Sequence, residues 1–364
     1  MTATRSPNVD QCEVEFAGRR ALVLENDQVR VIVTLEGCNI AAIEHRASRT
    51  NPLWSPPWLS IEPSAFRQDL PEYGMHQESK VLASIQGHSI CLDTYGGPSA
   101  EEAAAGMPIH GEAMFLTYAA EQAAGGVRLA ATLPMAQIHW SRSIVLSGSN
   151  TLRIAESLEN RSGCDRPIAW TQHVTLGPPF LERGRTQFSA NATRSKVIDA
   201  DFGGDQKRGA EFAWPLCPRK GGGSIDLRVY SNETPSGGFT THLLDPSSQY
   251  GYWIAWSPSS RIYFGYVWKR DDFPYLCRWE ENHLRDAAPW NSRTLTCGME
   301  ISASPTVESR RDMVTRGSFF GVPAYKWLPA KGRLEAVYAA FIGQSDALPR
   351  GVEWTGAGEV TIVN

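Results

Sequence analysis

The chain has 364 residues, 42% hydrophobic and 20% charged, with a formal net charge of −4. These proportions exclude wholesale disorder and give nucleic acid or an anionic membrane no electrostatic footing as a partner. Seven cysteines (12, 38, 91, 164, 217, 277 and 297) are odd in number and never spaced C-x-x-C, so buried reduced thiols fit better than a disulfide framework or a zinc site.

The N-terminal "MTATRSPNVDQCEVEF" lacks the apolar core of a signal peptide. No later run approaches the roughly 18–20 apolar residues of a membrane-spanning helix. The expectation is a soluble cytoplasmic protein with no membrane partner.

The dominant period is two. In "QVRVIVTLEG" Val29, Val31, Val33 and Leu35 share one phase, with Arg30, Thr34 and Glu36 on the other, as a half-buried strand requires. Residues 86–109, rich in Gly, Ala and Pro, read as a long loop leading into "IHGEA"; its "SAEEAAAG" is Ala-rich but short, and Gly106 stops it. "RSIVLSGSNTLRIAESLENR" reads as a hairpin turning at Ser147 to Asn150. Residues 203–223 read as a surface excursion. "YGYWIAW" and "RIYFGYVW" are nearly continuously apolar, which suits strands covered on both faces. One helix is expected in "TVESRRDMVTRG", with Thr306 as N-cap, Val307 and Val314 on its apolar side and Gly317 as the stop. The closing "EVTIVN" alternates again. With no internal repeat and no linker, residues 1–364 read as one all-β domain, a large antiparallel sandwich or barrel.

Motifs for nucleotides, metalloproteases and nucleophile-elbow hydrolases are missing. Neither a metal nor a cofactor is expected. Three histidines have distinctive settings. His110 stands two residues from Glu112 in "MPIHGEA", His173 lies mid-strand after Gln172 in "IAWTQHVTLGPP", and His283 follows Glu280 and Glu281 in "RWEENH". A lone strand histidine is more often a satisfied core residue than a catalyst. Trp279 beside the carboxylates has an indole on which the apolar face of a sugar ring packs.

In that order, the features resemble the galactose mutarotase (aldose 1-epimerase) superfamily. The opening "LENDQVRVIVTLEGCNIAAIEHRASRTNPLW" is similar to the family's first hairpin. "HG" follows at His110-Gly111. "RSIVLSGSNTLRIAESLENRSGCDRPIAWTQHVTLG" is similar to the long excursion whose last strand carries an Asn-His pair, here Gln172-His173. "YLCRWEEN" stands where the family has Glu-x-Gln.

The resemblance implies a β-supersandwich with few short helices and interconversion of the α and β anomers of a free sugar. His173 matches the catalytic acid and His110 the second site histidine. Glu280 matches the general base, or Glu281 if the alignment shifts by one. Glu112, Gln172, Trp279 and Arg67 are expected to contact substrate, with Asp199 and Asp201 as further positions. Alternatives are a non-catalytic sugar-binding protein on the same scaffold, or a lyase or glycoside hydrolase, the latter using Glu112 with Glu280. Anomerisation needs only a base for the anomeric hydroxyl and an acid for the ring oxygen. On this reading a rigid strand holds His173 toward the sugar, and Gln172 points to the opposite face.

Overall fold

The computed structural model describes residues 13–364. Cys12 lies outside them, and the six described cysteines are all free thiols.

Alternation along the strands builds two large antiparallel sheets. The twelve-stranded sheet begins at one edge with Glu13–Phe16, Arg19–Glu25, Val29–Thr34 and Ile40–His45. Its middle is His88–Asp93, Arg166–Leu176, Leu295–Ser302 and Tyr275–Asn282, followed by Ser236–Leu244, Ala192–Val197 and Glu211–Ala213; Lys326–Leu328 also pairs with the end of Arg166–Leu176. The eight-stranded sheet has Arg333–Gln344 near its centre, between Ile262–Lys269 and Thr151–Asn160. The expected hairpin is there: Ile138–Ser147 pairs with Thr151–Asn160, with Ser147 opposite Thr151 across the turn.

The largest core lies between the sheets. Val29, Val31 and Val33 enter it from one sheet, and Trp140, Ile154 and Tyr266 from the other. "YGYWIAW" and "RIYFGYVW" are covered on both faces, as expected. Trp253 and Phe264 face the sandwich, whereas Trp256, Tyr263 and Val267 meet Trp354 and Val360. The closing residues provide that cover as a small ribbon, Gly351–Glu353 against Thr361–Val363.

Three local expectations are corrected. Segment 86–109 is not one loop: His88–Asp93 is an interior strand, and Ala100–Ala104 is a helix with a Ser99–Glu102 capping box. Flanking glycines had masked the alternation of Ile90 and Leu92 toward the core with Cys91 on the other face. The later helix is Arg310–Arg316, capped by Ser309 rather than Thr306, because the Ser309 hydroxyl accepts from the Asp312 amide; it does end at Gly317, as read. Its buried apolar residue is Met313, whereas Val314 is 40% exposed. A helix at Ser79–Ser84 was not foreseen.

Strand Arg166–Leu176 carries the design. Its even residues Ile168, Trp170, Val174 and Leu176 pack between the sheets. Gln172 shares that face and is wholly buried in a polar network. Its amide oxygen accepts from Arg142 at 2.9 Å and from the Tyr338 hydroxyl at 2.9 Å, and its amide nitrogen donates to Glu156 at 2.8 Å. Arg142 also donates to Glu156 at 2.7 Å, and the Trp170 indole donates to it at 2.8 Å. A charged pair sealed between sheets is tolerable only when its remaining donors and acceptors are met, and Gln172 meets several at once. The odd residues Ala169, Thr171, His173 and Thr175 consequently face away from the sandwich.

Replacing Gln172 by Leu leaves buried polar atoms of Arg142, Glu156 and Tyr338 short of partners. A loss of about 1–3 kcal/mol is expected. Urea unfolding of Gln172→Leu against the native protein measures it, and an unchanged midpoint would refute the role given to this amide.

Candidate functional site

His173 occupies the outer face of the twelve-stranded sheet, opposite Ser89 on one neighbouring strand. On the other side the register pairs Gln172 with Ile301 and Thr175 with Gly298, which sets His173 opposite Glu300. Directly opposed residues of antiparallel strands share a face and sit close enough for their side chains to interact. The imidazole Nε2 lies 3.5 Å from Glu300 Oε1, and Nδ1 is 3.1 Å from the Thr175 hydroxyl. The other Glu300 oxygen accepts a short hydrogen bond from the Tyr95 hydroxyl.

Burial raises the pKa of Glu300 above the usual carboxylate range; the nearby His173 and the Tyr95 hydrogen bond pull it partly back. Gly298 makes room for this arrangement. A Cβ there would stand 2.8 Å from Glu300 Oε1 and 3.3 Å from the Trp279 side chain.

Both groups open onto a cavity of about 230 Å³ that His110 also lines. The His110 and His173 rings have centroids 6.0 Å apart. His110 and Gly96 clamp one another: the His110 amide donates to the Gly96 carbonyl at 3.0 Å, and the Gly96 amide donates to His110 Nδ1 at 3.1 Å. An accepting Nδ1 places the proton of the neutral ring on Nε2. Burial, helped by the neighbouring His173, pushes the His110 pKa down to about 3. The ring is therefore a neutral donor at physiological pH.

Indoles form another wall. Trp54 and Trp290 stack at 6.3 Å, and Trp279 meets Trp290 edge-on at 6.1 Å. The Arg285 guanidinium lies 4.8 Å above Trp290 and contacts Glu78 and Glu281 at 3.4 and 3.5 Å. Such a site combines an apolar platform with a few convergent polar groups. Among the described residues no three His, Cys, Asp or Glu side chains gather as metal ligands.

Of the residues expected from the sequence, His173, His110 and Trp279 line one cavity. The others do not. Glu280 follows Trp279 on the same strand and so faces the sandwich, where it pairs with Arg278 at 2.5 Å beneath Phe188. It is not placed to act as the base. Glu281 is on the correct face but turned inward, accepting from the Leu284 and Arg285 amides at 2.8 and 3.0 Å, so it supports the turn that presents Arg285. Glu112 accepts from the Met135 and Ala136 amides and fixes a turn; with Glu280 in the interior, no hydrolase pair forms from those two. Gln172 belongs to the core network and contacts no ligand space, matching the opposite-face expectation and correcting its assignment to substrate. Arg67 is an exposed partner of Asp69. Asp201 is likewise exposed beside Arg208, and Asp199 borders a different, smaller cavity. His283 holds a turn through the Ser292 carbonyl.

Glu300, Tyr95 and Arg285 were missed. For Glu300 the available signal was modest: "TCGMEIS" alternates, with its acid in phase with a glycine. Tyr95 was hidden in a segment read as loop.

No known family's sequence profile matches the chain, and no curated protein matches it in sequence. Solved structures do. A galactose mutarotase-like protein from Clostridium acetobutylicum superimposes with a TM-score of 0.62 at 12% identity, over 94% of this chain and 100% of the other. A candidate aldose 1-epimerase from Klebsiella pneumoniae gives 0.63 at 13% identity, over 90% of this chain and 80% of that one. Another from Escherichia coli K12 gives 0.61 at 10% identity, over 90% and 100%. Identities this low speak for architecture alone. The two packed antiparallel sheets, together with this superposition over most of their length, give the chain the galactose mutarotase-like fold.

Proposed function

We propose that the cavity binds a free pyranose and that the protein interconverts its anomers, with Glu300 as general base and His173 as general acid. The observation that carries this reading is the cross-strand meeting of an imidazole and a carboxylate on the wall of an indole-lined cavity.

The reaction starts with Glu300 ionised and His173 protonated, and the charge of the nearby imidazolium favours the ionised carboxylate. Glu300 removes the proton of the anomeric hydroxyl while His173 Nε2–H protonates the ring oxygen. The bond between the anomeric carbon and the ring oxygen breaks, leaving an aldehyde, a protonated Glu300 and a neutral His173. The carbonyl group then rotates about its bond to the next carbon. Ring closure runs the transfers backwards: His173 takes the proton of the attacking hydroxyl, and Glu300 returns its own to the former carbonyl oxygen. Both groups finish as they began. Thr175 accepts from Nδ1–H of the imidazolium and fixes the ring plane. Neutral His110 supplies one further donor to a sugar hydroxyl, and the indoles take the apolar ring face.

His173→Ala and Glu300→Gln should each lower the anomer exchange rate by roughly 10²–10⁴ while leaving the fold intact. Magnetisation-transfer NMR across a panel of aldoses reads the rate, and circular dichroism checks the fold. Exchange at the solution rate in the native protein, with sugar bound, would leave a carbohydrate-binding protein instead.

The pH profile gives an independent check. The base must be ionised, and burial raises its pKa, so on the acid side activity is lost as pH falls through a midpoint above the ordinary glutamate range. The Tyr95 hydroxyl stabilises the carboxylate form. Tyr95→Phe should therefore move the acid limb to still higher pH, and a limb that stays put would count against Glu300 as the titrating base.

A further inference from the structure

Beyond the cavity of His173 and Glu300 the outer face of the large sheet holds a second one, of about 140 Å³. The register places it. Glu300 pairs with Cys277, Cys277 with Thr241 and Thr241 with Lys196, so one row of side chains runs from the first site to the second across three strand spacings, about 14 Å. Between them the sheet is covered: Thr241 and Cys277 both bond to the Pro305 carbonyl. Val307, two residues further on, lines both cavities. A ligand longer than one ring would have to cross that side chain to occupy both.

The charges around the second cavity alternate and cancel. Lys196 pairs with Asp199 at 3.2 Å, and Arg316 binds Glu308 through both its Nε and Nη2 at 2.9–3.0 Å. Glu308 and Asp199 both hold the Arg316 guanidinium in its charged form. Phe319 supplies an apolar surface, with the guanidinium 6.0 Å from its ring. A phosphate or sulfate would need uncompensated cations, and neither basic group here is uncompensated. Hydroxyls, which donate and accept at once, suit alternating donors and acceptors beside an aromatic face.

We propose that this second cavity is a subsite for a neutral sugar ring, so that the substrate is a reducing oligosaccharide whose terminal ring occupies the first cavity. The proposal rests on the reading of the first cavity as an anomerisation site. Glu308 also ties the two sites mechanically, since its amide donates to the Tyr95 carbonyl at 2.8 Å.

The test compares glucose, galactose and mannose with α- and β-linked disaccharides carrying each at the reducing end, by NMR anomer exchange. At least one disaccharide should exceed its monosaccharide tenfold or more in kcat/KM. Lys196→Ala and Arg316→Gln should each remove most of that advantage while leaving monosaccharide exchange within twofold of native. Parity between the two substrate classes in the native protein, or an advantage that survives both substitutions, overturns the subsite. Failure of every sugar to exchange faster than in solution would overturn the activity instead. The subsite would then stand or fall on the same comparison made by calorimetric affinity.

Discussion

The pairing of Arg166–Leu176 with Leu295–Ser302 decides which side chains meet outside the sandwich. A slip of one residue in the central strand would send His173 between the sheets and bring Gln172 out, because adjacent strand residues face opposite ways. The phase is held from behind. Gln172 bonds at once to Arg142, Glu156 and Tyr338 of the opposite sheet, and Trp170 on the same face of the strand adds a second bond to Glu156. Core contacts and cavity contacts thus occupy alternate positions of a single strand, with the amide between the sheets securing the imidazole that faces the cavity.

The rest of the cavity is arranged around that pair by loops with few degrees of freedom. Asp93, wholly buried, binds Arg166 and Arg310, and Arg310 also reaches Glu102 and the Pro167 carbonyl. One carboxylate therefore gathers the end of the central strand, the helix Ala100–Ala104 and the helix Arg310–Arg316. The segment between Asp93 and the first of these helices carries Tyr95 and Gly96, so the clamp also fixes the partners of Glu300 and His110. At Gly111, with φ of +80°, an added Cβ would stand 2.0 Å from the Leu92 carbonyl, which is why the chain beside His110 can run so close to the sheet.

Much of the fold was legible because period two, turn residues and doubly covered strands leave strong local marks. The site was legible in part. His173 stood out as an imidazole out of keeping with its apolar neighbours, the order of motifs gave His110, and Trp279 was picked out by the carboxylates beside it. Glu280 was expected in the cavity but lies on the sandwich side, for a reason the sequence itself contains. Trp279 and Glu280 are consecutive strand residues and cannot share a face, so accepting the indole as a sugar platform already argued against that carboxylate. The acidic pair in "RWEEN" drew attention, whereas Glu300 is a single acid in "GMEIS" whose significance arises only when its strand lies beside residue 173. Arg285 and the Trp54–Trp290 stack depend on the approach of distant turns, which no window of sequence records.

The central strand and the neighbour that carries Glu300 are far apart along the chain: 300 − 173 is 127 residues. During synthesis the earlier strand can pair with His88–Asp93 at once, yet its second edge has no partner until the last third of the polypeptide emerges. An unsatisfied edge in the middle of a future sheet invites pairing with the wrong segment or with another nascent molecule. Assembly of the outer cavity is thus a late, long-range event, and the hazard on the way to it falls on the strand at the middle of the finished sheet.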